Sequence, residues 1–160
     1  MTAPRPYLPE PQRVAETIQQ DLAKVGIQAT LQSFEWGVYL AKVQGGEHDL
    51  ALYGWTGDNG DPDNFLYTLL DKDSAKPPGA NNVCFWKNDA FHELMMAGQV
   101  ESDPVRRDAV YRKALLLIHD QVPAVPIAHN APPTGFRSGV KGFIPNPDTS
   151  EDFNLMSLSD

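Results

Sequence analysis

Residues 49–65, DLALYGWTGDNGDPDNF, join an apolar run to a turn crowded with aspartates and glycines. The first seven are mostly apolar, the pattern of a strand covered on both faces. The remainder sets Asp58, Asp61 and Asp63 around Gly57 and Gly60. In open α/β sheets the ligand crevice lies beyond the carboxyl ends of parallel strands. A loop of this kind at a strand end therefore bears on the fold and on the site together.

Upstream of it, Trp36, Tyr39, Leu40 and Val43 predict a short amphipathic helix closed by Gly45-Gly46. Before that, IQATLQS (27–33) alternates, with Ile27, Ala29 and Leu31 on one face, which predicts a strand. Strand, helix and strand over about 30 residues make a βαβ unit with parallel strands. Val14, Ile18, Leu22 and Val25 recur at helical spacing and Gly26 is the expected stop. Downstream, a short helix is predicted from Asn64 to Leu70, with Asp63 as its cap. Residues 72–82 read as a surface loop. Two further helices follow, over 88–99 and 104–121, the second with Pro104 at its first position and Asp103 or Ser102 as cap. Residues 122–129 are extended and proline-limited. The tail from Ala131 is broken by prolines and carries two short strand-like pieces, GVKGFI (139–144) and FNLMSL (153–158). The fold class is α/β: a βαβ unit, additional helices and an extended C-terminal segment.

Composition narrows the function. With 160 residues one domain is the default. Thirteen Lys and Arg against 21 Asp and Glu give a net charge of −8, which disfavours nucleic acid and anionic membranes as partners. No apolar run approaches the roughly 18 residues of a membrane span. The start, MTAPRPYLPEP, lacks the apolar segment of a signal peptide, so the chain is either cytosolic or a piece of something longer. Cys84 is the one cysteine, so no internal disulfide is possible; beside Phe85 it reads as a core thiol rather than a nucleophile.

Three chemistries compete for the aspartate loop. A calcium loop needs oxygen ligands at alternate positions and a closing Glu. Counting from Asp58 the alternate positions hold Gly60 and Pro62; counting from Asn59 the closing position is Leu70. That pattern fails twice. An acid pair drawn from Asp58 with Asp61 or Asp63 would suit an acid-dependent hydrolase, although such pairs usually come from separate elements. Asp61 and Asp63 suit mainly structural roles, as a turn start and a helix cap. Asp58, three residues past Trp55, stands where a carboxylate beside an indole suits an ammonium group. His48, His92, His119 and His129 have no zinc-ligand spacing; His92 and His119 read as helix-surface residues. No cofactor and no metal are expected.

The segment from RPYLPEP through GWTGDNGDPDNF, continuing through FHELMMAGQVESDPVRRDAVYRKALLLIHDQVPAVPIAH and VKGF, resembles a known family. It is similar to the C-terminal lobe of periplasmic dipeptide-binding proteins, solute-binding components of peptide-importing ABC transporters in family 5 of the bacterial extracellular solute-binding proteins. The resemblance implies a two-lobed, type II periplasmic-binding-protein fold about three times this length. Residues 1–130 would belong to the C-terminal lobe, and 131–160 would pack back towards the missing first lobe. It implies a non-enzymatic, periplasmic binder of dipeptides or short peptides, delivered to the permease subunits of an importer. Asp58 would meet the peptide's α-ammonium, Arg5 its α-carboxylate, and Tyr7 and Trp55 would line the cleft. Longer peptides, glutathione, haem and nickel complexes remain open as ligands. Relatives often carry a disulfide across the loop before FWKNDAF, for which Cys84 has no partner.

Overall fold

The computed structural model describes residues 4–5, 7–129, 133–146 and 152–159. Its helices are α1 (Pro11–Lys24), α2 (Trp36–Gly45), α3 (Pro62–Leu70), α4 (Asp89–Val100) and α5 (Pro104–Gln121), with a 3₁₀ turn at Lys72–Ser74. Two short strands, β1 (Val140–Lys141) and β2 (Ser157–Leu158), pair antiparallel near the end. They fall within the two strand-like pieces predicted for the tail.

Each helix boundary has a local cause. In α1, Gly26 takes φ +86° and gives its N–H to Ala23, while Ile27 reaches back to Leu22. That pair of bonds is the Schellman stop, which needs a left-handed residue. In α3 the cap is Asp61, whose side chain accepts the Asp63 N–H at 2.9 Å, so the helix starts two residues before the predicted Asn64. Asn88 caps α4 through the Phe91 N–H, and Asp103 caps α5 through the Arg106 N–H.

The core lies where α3, α4 and α5 meet. Leu66 and Leu70 from α3, Phe91 and Met95 from α4, and Tyr111 and Ala114 from α5 form one buried cluster. Trp86, Leu94, Leu117 and Ile118 pack around it. Asn82, wholly buried, ties the preceding loop to this core by donating to the carbonyls of Asp71 and Trp86 at 3.0 and 2.9 Å. Leu115 of α5 and Val122 just after it are outside this core and more than half exposed.

The predicted βαβ unit is present only in its middle. Helix α2 forms, and Tyr39 and Val43 are buried, Tyr39 donating its hydroxyl to the Leu52 carbonyl at 2.6 Å. The flanking segments, residues 27–33 and 49–55, form no ladder with each other among the described residues. The physical reason is that a strand exists only through its neighbour. Apolar patterning marks a segment for a sheet but cannot supply the partner. Ile27 and Leu50 are correspondingly exposed.

Candidate functional site

The loop after residue 57 is held from several sides. Asp61, besides capping α3, accepts from Arg107 of α5 at 2.9 Å. Arg107 also donates to the Gly98 carbonyl and the Tyr111 hydroxyl, so one guanidinium joins α4, α5 and the loop. Its hydrogen bond holds the Asp61 carboxyl below the usual carboxylate range, against a smaller desolvation effect of opposite sign. Asp63 accepts from Gln99 of α4 at 3.0 Å. Of the three aspartates only Asp58 neither caps a helix nor reaches α4 or α5.

Asp58 is exposed, and its partner is Asn64. The Asn64 carboxamide oxygen accepts from Trp55 Nε1 at 2.9 Å and from the Asp58 backbone N–H at 3.1 Å. Its Nδ2 donates to Asp58 Oδ2 at 3.3 Å. Trp55 and Asp58 are thus joined through one side chain, and sequence reading had passed over it. No periodicity connects residue 58 to residue 64. The contact exists only because α3 turns back over its own entry loop.

Arg5 and Tyr7 come to the same stretch from the N-terminal end. Arg5 and Leu8 exchange backbone hydrogen bonds at 3.0 and 2.9 Å, closing a tight turn that contains Tyr7. The Tyr7 ring lies against Gly54, where an added Cβ would fall within 2.9 Å of three ring atoms. Only glycine permits that approach. Arg5 lies over the Trp36 ring, 3.9 Å from its centroid, and its Nε is buried without a hydrogen-bond partner among the described residues. Trp36 in turn stacks on Tyr39. Tyr7, Tyr39 and Tyr53 are close enough to disfavour one another's ionisation. Burial pushes all three phenols up, Tyr39 to about 12, so the group is neutral and the Arg5 guanidinium is its one fixed charge.

A separate cluster, Asp71, Asp73 and His92, has potential ligand atoms all within 4.8 Å of one another. Asp71 is wholly buried, and both its oxygens lie 3.0 Å from His92 Nδ1. The pair ties the end of α3 to α4. His92, read as a helix-surface residue, is therefore partly buried and bonded. Cys84 differs in the other direction: it is exposed rather than partly buried, with its thiol 2.9 Å from Asn82 Oδ1. Desolvation nevertheless pushes its pKa up, which does not favour a nucleophilic thiolate.

Residues 2–77 match the family described as bacterial extracellular solute-binding proteins, family 5, middle region. The dipeptide-binding protein of Pseudomonas aeruginosa is 42% identical over 153 residues, which is 96% of this chain and 28% of that protein. Among solved structures, the ABC transporter-associated periplasmic binding protein DppA from Helicobacter pylori, in complex with peptide STSA, superposes with a TM-score of 0.78. It is 37% identical and the match covers 96% of this chain and 30% of that one. The dipeptide-binding protein of Pseudoalteromonas sp. SM9913, in complex with Met-Leu, gives a TM-score of 0.80 at 29% identity, covering 99% and 32%. The chain therefore spans less than a third of the length of the proteins it matches. Its α/β fold is that of a C-terminal lobe in a two-lobed periplasmic binding protein. No helix among the described residues is long and apolar enough to cross a membrane. By sequence and by fold, the chain is similar to family 5 of the bacterial extracellular solute-binding proteins.

Proposed function

We propose that this chain forms the C-terminal side of a cleft that binds dipeptides or short peptides, in a periplasmic protein serving an ABC importer. The carrying observation is the Asp58 carboxylate, exposed at the end of an apolar segment and bonded on one oxygen to the amide that also holds Trp55. Asp58 would receive the peptide's α-ammonium. Arg5 would take the α-carboxylate, for which its planar fork is suited, with Tyr7 and Trp55 lining the cleft between. Proteins of this architecture work by closing two lobes on the ligand, and the closed form is what a permease would engage.

The matched proteins support a peptide ligand: one is in complex with Met-Leu, another with peptide STSA, and the Pseudomonas relative is a dipeptide-binding protein. A hydrolytic reading loses its second acid, since Asp61 is paired with Arg107 and Asp63 with Gln99. Residues 131–160 would pack against the first lobe. In support, Phe136, Ile144, Phe153, Leu155 and Leu158 are all more than half exposed.

Calorimetric titration of the whole solute-binding protein with dipeptides tests this reading. Asp58→Asn should weaken binding by about 2–5 kcal/mol, because a buried ammonium loses its counter-charge. Unchanged affinity in that variant would overturn the assignment of Asp58.

A further inference from the structure

The Asn64 side chain is hydrogen-bonded to both Asp58 and Trp55. Two N–H donors converge on its oxygen, at 2.9 Å from Trp55 Nε1 and 3.1 Å from Asp58 N, while its own Nδ2 donates to Asp58 Oδ2. We infer that Asn64 is a positioning residue that holds the Asp58 carboxylate and the Trp55 indole as one unit selecting a primary ammonium. This deepens the peptide-binding reading above and rests on it.

The mechanical argument starts from the core. Asn64 occupies the third position of α3, with its own N–H bonded to the Asp61 carbonyl at 3.1 Å. That helix is fixed by the Asp61 cap, by Arg107 from α5, and by Leu66 and Leu70 in the buried cluster. Between Asp58 and Asp61 the loop has one internal bond, from the Asp61 N–H to Asn59 Oδ1. The rigidity of the helical core therefore reaches Asp58 chiefly through the Asn64 carboxamide.

The chemical argument concerns which group can do this. With ordinary carboxyl groups ionised, a carboxamide is the side chain that can accept two N–H bonds on one atom and donate to a carboxylate from the other end. A carboxylate in that place could accept both but would face Asp58 as a like charge. A serine hydroxyl would be too short to span the pair. Donation to Oδ2 leaves Asp58 Oδ1 without a hydrogen bond among the described residues. An ammonium brings three donors and can complete that oxygen. An N-acylated peptide end carries neither the charge nor the donors. The other charged groups around Asn64 are already engaged: Asp61 with Arg107 from α5, and Asp63 with the neutral Gln99 from α4.

The test compares a dipeptide with its N-acetyl derivative, by calorimetry on the whole solute-binding protein, in wild type and Asn64→Ala. Wild type should prefer the free amine by at least about tenfold, the size expected when a charged pair is lost. Asn64→Ala should shrink that preference by at least about fivefold. A wild type without preference would overturn the underlying reading of Asp58. A normal wild type with undiminished preference in Asn64→Ala would overturn only the inference about Asn64. So would an equal loss of affinity for both ligands, which marks a general loop support. Asn64→Asp gives an independent reading if the alanine variant does not fold. It keeps the shape and both accepted N–H bonds but sets two carboxylates face to face, so their titrations couple. Free-amine affinity should then vary with pH between about 4.5 and 7, a range in which ordinary carboxylates have already ionised. A profile as flat as that of wild type would remove Asn64 from the Asp58 carboxylate.

Discussion

Residues 62–121 close on themselves, and residues 7–56 do not. In the first region Phe91, Met95 and Ala114 are completely buried, and three helices pack on one another around them. In the second, Val25 and Leu50 are each 73% exposed, and two apolar segments run beside α2 without a sheet. The difference lies in where the contacts come from. Helices α4 and α5, three residues apart, meet through local geometry, and α3 joins them by burying Leu66 and Leu70 in the same cluster. Parallel strands must be paired across distant parts of a chain, and this chain spans under a third of its relatives. The helical region has a buried cluster of its own; the strand-forming segments have no ladder among the described residues.

That contrast is open to a direct challenge. In the chain as given, Phe91→Ala should cost about 3–5 kcal/mol, the usual result of emptying a large buried site. Leu50→Ala should stay within about 0.5 kcal/mol, as exposed substitutions do. Urea denaturation followed by circular dichroism measures both. Comparable losses would mean that Leu50 is buried in solution, and the contrast would fail.

The same contrast explains what could be read from residue types alone. The α5 bounds, the tail's two strand-like pieces and the Gly26 stop rest on neighbours a few residues apart or on simple alternation, and they were legible. The strand segments were recognisable as apolar, but their lack of pairing was not, because pairing is a property of two segments. In the candidate site, Asp58 stood out by its place after an apolar run. Arg5 had no signal of its own and entered only through the family resemblance. Asn64 was overlooked because its bonds depend on how α3 folds over the preceding loop. His92 was misjudged for a similar reason, since its partner Asp71 lies 21 residues away.

A second test sits at the seam between the candidate loop and the helical core. Arg107 lowers the Asp61 carboxyl, chiefly by hydrogen bonding. A carboxyl held low in the folded state stabilises the fold above its ordinary value of 3.8 and loses that contribution as pH falls through its folded value. Asp61→Asn should therefore lower Tm by a few degrees near neutral pH. The deficit should narrow only under strongly acidic conditions, where the wild-type carboxyl is protonated too. The pair is about a third exposed, so salt should weaken the effect. Asparagine caps as well as aspartate, so the absence of a deficit at every pH would show that Asp61 acts by its cap alone.

The smallest expected effect has the sharpest sign. Helix α1 ends with Gly26 in the left-handed region, but α5 ends with Val122 there, at φ 47°. A left-handed conformation costs an ordinary residue roughly 1–2 kcal/mol, and a β-branched side chain is among the least suited to it. Glycine removes that cost but makes the unfolded chain freer, by about 0.5–1 kcal/mol. Val122 is 59% exposed, so its side chain contributes little burial here. Val122→Gly should therefore stabilise the chain as given, by about 0.5 kcal/mol on balance. In the whole solute-binding protein the outcome should reverse if the valine packs against residues outside this chain. A buried valine contributes about 1.5 kcal/mol or more, which exceeds the conformational relief. Measuring the substitution in both contexts separates the possibilities. Stabilisation in both would make Val122 a local fault in a self-contained helical region. Stabilisation in the short chain alone would mean that the residue capping α5 needs neighbours outside this chain, and the self-contained region would end at residue 121.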